Sequence, residues 1–565
     1  MIEKRNLNGQ IRIISKKIEE RGPAMPNSSD NRMGNGLRRD AGVIGLLFAS
    51  TTSMIGSGWL FGALHASKIA GPLSLWSWVI GAVIIMIIAL CFAELAALFP
   101  RSGALVHMSH ASHGEGLGRV WGWMLFLSYV AVPSVEAESI VTYANNLYPH
   151  LVGNDGVLTG AGFISCVVLV GVLAALNLMA IRWLLTVNNV VTWWKIAVPS
   201  LTAIVLIAAG TSQIVPLWSH GTSMWTAAPD SYDSNGIFIA LPAAGIVFSF
   251  LGFRTAIDLG GESSNPGRNI PLAVIGSVAL SAVVYILLQL GFLQSMRPQD
   301  VANGWNHINF PGVKGPFAGL AAMLGFGWLA ALLYIDAAVS PAGTGLIYLT
   351  GGSRILFANG EMNAGPKALT WLNRAQIPWV SVALMWGVGV IFLLPFPAWQ
   401  KMVNYISDIT ALTYGLGPIV LLILRRDHPD LERPFRLMGA GIVAPIAFIC
   451  CDLIILWSGF ITVTWLFGIV LTIFALYLIY YFLIAHESAA DFGWNHIWWL
   501  GAWFGGMWII SMLSSGDLGG YGILSFWEAA AVTALWSTVV IELAKRSALP
   551  ADETGRILIN IERTM

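Results

Sequence analysis

Two cations stand out chemically in this 565-residue chain: Lys195 in "NNVVTWWKIAVP" (188–199) and Arg254 in "FSFLGFRTAID" (248–258), each inside a run that otherwise reads as lipid-buried. A charge at the bilayer centre costs about 2.5–3.5 kcal/mol on insertion scales, so such a residue is normally paired or functional. Arginine stays protonated and can grip a carboxylate through two parallel hydrogen bonds. Arg254 therefore either holds the carboxylate of a ligand or forms an internal ion pair, with Asp258 one turn on or with Glu136 or Glu138. Those two glutamates are two residues apart and point to different helix faces, so they cannot both line one site; Glu136 is favoured. Asp408, Asp452 and Glu528 read as pairings within a helix bundle, and Glu94 and Glu262 as helix-end contacts or gates. His107, His110 and His113 in "HMSHASH" fit a polar loop helix better than a metal site, because no cysteine or acidic cage completes the set.

Composition says what must position these groups. The chain is 56% hydrophobic and 11% charged, with 25 Trp, where soluble domains are about a quarter charged. It belongs in a bilayer, with many tryptophans as interfacial anchors. Net charge is zero, and no zinc-finger, P-loop or dinucleotide motif is present, which argues against nucleic-acid partners. Cys91, Cys166, Cys450 and Cys451 lie in apolar runs without metal-ligand spacing and read as free buried thiols. The first 40 residues are polar and basic, lack a secretory core and cleavage site, and are expected to form a cytoplasmic tail.

A bilayer core takes about 20 apolar residues of helix, and about fourteen runs qualify. They lie near 41–64, 72–99, 119–147, 157–180, 184–209, 237–259, 271–294, 318–349, 377–395, 399–424, 438–459, 463–485, 497–514 and 522–543. Lys and Arg sort onto one side, as the positive-inside rule requires when both termini are cytoplasmic. Of the 30, nine fall in the N-terminal 40 residues, and the outer loops 148–156 and 210–236 hold none; Lys68, Arg297, Lys314 and Lys401 are those expected outside. Spans one and six both carry glycine about fifteen residues in, Gly56 and Gly58 in "SMIGSGWLFG" and Gly252 in "FSFLGFRTA". Helices interrupted at matching positions of two halves predict an all-α polytopic fold, a five-plus-five inverted repeat with spans one and six broken. The expected division is an N-tail 1–40, a ten-helix core 41–424 with repeats 41–209 and 237–424, four further helices 438–543 and a cytoplasmic C-tail 544–565.

Four segments carry a family resemblance: "GSGWLFGALHASKIAGP" (56–72), "CFAELAALFPRSGA" (91–104), "NNVVTWWKIAVP" (188–199) and "FLGFRTAIDLGGESSNPGRNIP" (250–271). The chain resembles the amino acid permeases of the amino acid-polyamine-organocation superfamily and, within it, the bacterial aspartate:proton symporters. The resemblance implies a substrate held at the breaks of spans one and six. One departure matters: many members have "GFE" where this chain has "GFR", so roles given to that glutamate do not carry over to Arg254.

An amino acid brings a carboxylate and an ammonium into a dry site, where both need fixed partners. The restarted helix at Gly56, Ser57 and Gly58 is expected to offer unpaired N–H groups and a positive dipole end to the α-carboxylate. Unwound carbonyls around Ser53 and Ile55, with Phe248 and Phe250 beside Gly252, would receive the ammonium, and Arg254 a side-chain carboxylate. By resemblance Lys195 occupies the place where proton-coupled members keep a lysine; burial disfavours its charged form, so its proton would load and leave, with Asp336 as its counter-ion and Glu136 as a further coupling acid. The resulting expectation is a cell-membrane importer of an acidic amino acid coupled to protons, needing no cofactor or metal, with an exchanger or a neutral amino acid permease as alternatives. No His pair, Ser-Lys dyad or metal motif in the spans suggests an enzyme, and a channel would show flux that does not saturate.

Overall fold

Lipid offers no hydrogen-bond partners, so spanning backbone must satisfy itself within helices, and helices make up this chain. The computed structural model describes residues 41–563 apart from 101–102, 154–155, 180, 210–233, 302, 309, 311–314, 396–397 and 489–491. The expected N-tail, most of the outer loop 210–236 and Lys314 lie outside the described residues. Among the described residues strand pairing is limited to isolated bridges such as Ala41 with Ser263.

Span one is two helices, α1 (Val43–Met54) and α2 (Ser57–Ala70), followed by α3 (Ser74–Leu98). Span three comprises α4 (Ala104–Val130) and α5 (Val132–Ala144); α6 (Gly160–Asn177) and α7 (Ile181–Ala209) follow. Span six is in pieces: α8 (Asn235–Ala243), α9 (Ile246–Ser249), a 3-10 turn Leu251–Phe253 and α10 (Arg254–Asp258). Next come α11 (Pro266–Gln294), α12 (Pro316–Met323), α13 (Gly327–Glu361), α14 (Trp379–Phe392) and α15 (Trp399–Asp427). The last are α16 (Ala440–Trp457), α17 (Phe460–Ile479), α18 (Trp499–Leu513), α19 (Phe526–Ser547) and α20 (Ala551–Arg563). Among the described residues ten helices are long and apolar enough to cross a membrane, or up to eleven with the bent pair of span six counted as one span. Val43–Met54, Trp379–Phe392 and Trp499–Leu513 are shorter apolar helices.

One boundary differs from the sequence reading. The run 318–349 is not one span: Gly325, at φ 85°, separates α12 from α13, which continues to Glu361. The histidine segment, expected as a polar loop helix, is helical: it forms the first half of α4, largely buried and kinked at Gly114 with φ 84°, where Leu549 packs. Within the segment expected as the C-tail, the Leu549 N–H bonds the Ser112 carbonyl and α20 lies beyond it.

Packing brings the two interrupted spans together. α11 lies against α1, α3 and α7, α13 against α4 and α5, and α15 against α16, which ties the additional helices to the core. α16 also touches α3 and α8.

Candidate functional site

α1 ends at Met54, Ile55 and Gly56 leave the helical region, and α2 begins at Ser57. Gly56 lets two side chains approach closely, since a Cβ there would lie 2.5 Å from Glu136 Oε1 and 2.7 Å from Thr344 Oγ1. Span six is broken twice. Its first break, a 53° bend, is at Gly245, whose φ of 78° places it in the left-handed region that favours glycine; this break was not anticipated from the sequence. The second is the 3-10 turn around Gly252, where a Cβ would come within 2.5 Å of Met54 N and 2.6 Å of the Ser53 carbonyl carbon. Ser53 Oγ contacts Gly252 O at 2.9 Å and Thr255 Oγ1 at 2.8 Å, and Tyr285 bridges the breaks by donating to Met54 O at 2.8 Å and Ser249 O at 3.2 Å.

The expectation of unpaired N–H groups at the restarted helix needs correcting at Ser57. Its N–H donates to Glu136 Oε2 at 2.8 Å, and its hydroxyl accepts from Trp399 Nε1 at 2.9 Å. The Gly56 N–H reaches Met54 O at 3.0 Å, and Gly58 packs on Ser249. Glu136 is fully buried and its Oε1 has no partner. Glu138 turns the other way, to the backbone at the start of α15, at Trp399.

Lys195 reaches the same break from behind. Its Nζ donates to Thr52 O and to Thr344 Oγ1, both at 2.8 Å, while Thr344 donates to Thr52 O at 3.0 Å. The expected ion pair with Asp336 is not made: Asp336 Oδ1 accepts from Trp194 Nε1 at 2.8 Å and Ser340 Oγ at 2.7 Å. The ammonium, a donor only, is instead taken by the Thr52 carbonyl near the end of α1 and by the Thr344 hydroxyl.

Arg254 makes none of the internal ion pairs weighed for it. Its guanidinium donates to Ser128 Oγ and Ser128 O at 2.8 Å each, and lies over the Tyr129 ring at 3.6 Å and the Tyr348 ring at 5.0 Å. Asp258 is instead claimed by the Tyr129 hydroxyl. The outcome is a fully buried guanidinium whose Nε has no partner. Tyr348 neighbours both Arg254 and Glu136.

Phe248 packs edge-on to Trp399 with centroids 6.4 Å apart, beside Ser57, whereas the Phe250 ring is packed against Tyr285 and Trp78. The sequence reading missed Thr52, Ser128, Tyr129, Tyr285, Thr344, Tyr348 and Trp399. A signal existed for Thr344, in the small-residue stretch "SPAGTG": a Cβ on Gly343 would press on Lys195 at 3.0 Å, and one on Gly345 would touch Glu136.

The remaining acids are placed as local partners. Glu94 binds Arg425 and Arg433, Glu262 binds Arg354 at 2.8 Å, and Asp452 accepts from Trp503 Nε1 and Ser537 Oγ. Asp408 accepts from Ser458, while Glu528 is not inside the bundle but caps the exposed start of α19 with Ser525. His113 reaches the Ala544 carbonyl at 3.1 Å. Among the described residues no group of three or more His, Cys, Asp or Glu could hold a metal ion.

Interrupted helices packed break to break and ionisable residues buried within a membrane bundle are features that mark substrate and ion pathways in transporters generally. Residues 42–510 match the amino acid permease family model. The chain is 36% identical over 527 residues to the glutamate/serine transporter AimA of Bacillus subtilis (strain 168), covering 91% of this chain and 94% of that protein. It is 31% identical over 525 residues to the aspartate-proton symporter of the same organism, covering 92% and 98%. A branched-chain amino acid permease, BcaP, again from Bacillus subtilis, is 25% identical over 449 residues, covering 76% and 90%. The chain belongs to the amino acid permease family, a family of membrane transporters and not of enzymes.

Proposed function

We propose that this protein imports an amino acid, acidic by preference, together with a proton, by alternating access around the paired breaks of spans one and six. The observation that carries the proton is Lys195, whose ammonium is bound to Thr52 O and Thr344 Oγ1 with no carboxylate at ion-pair distance among the described residues. A buried ammonium of this kind holds the Thr52 carbonyl when charged and loosens it when neutral, which couples proton transfer to the shape of the break. The acidic preference rests on Arg254, a buried charge lacking a carboxylate partner, which a substrate side chain would supply. Ser53, Ile55, Gly56, Ser57, Gly58, Phe248, Phe250 and Gly252 form the cradle on this reading, with Asp336 holding Trp194 beside the lysine. The names of two relatives, an aspartate-proton symporter and a glutamate/serine transporter, support the same reading. The second name favours a range that also admits a small neutral amino acid. The site would operate in the cell membrane with both termini cytoplasmic.

The test is uptake of labelled aspartate, glutamate, serine, arginine and leucine by proteoliposomes under an imposed pH gradient without sodium. Accumulation of the acidic substrates, abolished when the gradient is collapsed, is expected. Preference for arginine would overturn the acidic reading. Uptake that needs sodium at constant pH, or that needs only internal substrate, would overturn proton symport.

A further inference from the structure

Glu136 occupies the position a substrate carboxylate would take. Its Oε2 accepts from the first N–H of α2 at 2.8 Å, and Oε1 is buried beside Gly56 without a partner. A carboxylate on the opening N–H of a helix is favoured by the positive end of the helix dipole. That favourable place is therefore already filled, by a side chain from α5.

We propose that Glu136 is a tethered occupant of the carboxylate seat, which an amino acid enters only by displacing it, and that Glu136 takes up a proton as it leaves. This deepens the amino acid and proton reading above and rests on it. Two carboxylates cannot share one N–H in a dry site without strong repulsion. Once displaced, Glu136 loses the hydrogen bond and the dipole that support its ionised form. The groups facing it are Lys195 from α7, Tyr285 from α11, and Thr344 and Tyr348 from α13, with Ser57 from α2. Lys195 is held by Thr52 and Thr344 and forms no ion pair with Glu136, so the acid is best accommodated neutral. One O–H bond forms on Glu136 as one breaks in a hydronium ion of the solution, and the substrate carboxylate takes the Ser57 N–H. On the opposite face of the membrane the proton leaves, Glu136 takes the N–H back, and the substrate carboxylate is expelled. By thermodynamic reciprocity, protonation strengthens substrate binding by the same factor by which substrate strengthens proton binding.

The experiment uses full-length protein in lipid nanodiscs and binding of labelled L-glutamate and L-serine from about pH 5.5 to about pH 8.5. For the wild type, the dissociation constant should rise with pH, by at most about tenfold per unit for one linked proton. Glu136→Gln should bind with a shallower pH dependence than wild type, keeping only the part that Lys195 contributes, and at least about tenfold more tightly than wild type at the alkaline end, because a neutral amide competes poorly for Ser57. A second measurement avoids the variant: adding glutamate to weakly buffered wild-type protein should draw protons from solution. A Glu136→Gln protein that keeps the wild-type pH profile, or binds more weakly at every pH, would overturn the inference, as would proton release on binding. These results would leave the transport reading intact. Failure of the wild type to bind any amino acid saturably would sink that reading first and this inference with it.

Discussion

Arg254 is fully buried, stacked between Tyr129 and Tyr348, and bonded to Ser128, yet its Nε is unpartnered. Hydrogen bonds to a charged group contribute about 1.5–3 kcal/mol, and about 1.4 kcal/mol is a factor of ten in affinity. Arg254→Ala should therefore weaken competition by aspartate and glutamate at least about tenfold while changing serine affinity far less. The measurement is competition against labelled serine uptake, with a melting curve to establish that the variant is folded. Equal acidic affinity in a folded variant would remove Arg254 from the binding site. The charge itself was plain in the sequence, as was its cost in lipid. Its neighbours were not: Ser128 and Tyr129 come from span three and Tyr348 from span eight, so only packing brings them to the guanidinium. Glu136 illustrates the same division, since helix phase separates it from Glu138, but nothing in the chain order says that Ser57 receives it.

At the scale of elements, the glycines of the two breaks differ in what surrounds them. A methyl group at 252 meets backbone, Met54 N at 2.5 Å and Ser53 C at 2.6 Å, and backbone cannot rotate away. A methyl group at 58 meets first the Ser249 hydroxyl, at 2.2 Å, which can turn aside. Overpacking costs about 1–3 kcal/mol, so Gly252→Ala should lower the melting temperature in detergent and abolish uptake, whereas Gly58→Ala should lose less of both. The opposite order would mean that the contact between spans one and six is not what holds the breaks together. Gly56 and Gly252 were legible because glycine interrupts apolar helices in corresponding places. Gly245 was not, because a glycine in a membrane helix has the same letter whether it packs a neighbour or adopts a positive φ. The separation of α12 from α13 was hidden for the same reason at Gly325.

Across the whole molecule, the added helices are anchored to the transporter core by a charged knot. Glu94 at the end of α3 binds Arg425 of α15 with Nε at 3.0 Å, and also Arg433 at 3.0 Å and the Leu437 N–H at 2.7 Å, in the connection leading to α16. Glu94 is fully buried, so removing it would leave two guanidinium groups without their carboxylate. Glu94→Ala should destabilise the protein by about 3–5 kcal/mol, and Glu94→Gln by less, read as loss of folded protein on heating in detergent. Glu94→Ala with unchanged melting would show that the knot carries no load. A second tie lies within the added helices, where Asp452 of α16 accepts from Trp503 of α18 and Ser537 of α19.

The sequence alone determined that this is a helical membrane protein with interrupted first and sixth spans and two cations that lipid would not tolerate without cause. Those properties follow from composition, from hydropathy over about 20 residues and from the cost of isolated charge, all local to the chain. The tertiary structure alone decided which partner each buried charge meets: Glu136 with Ser57, Lys195 with Thr52 and Thr344, Arg254 with Ser128 and two tyrosines, and Asp336 with Trp194. These pairings join helices far apart in the chain, and a rotation of one helix by a single residue would turn each side chain about 100° away from its partner.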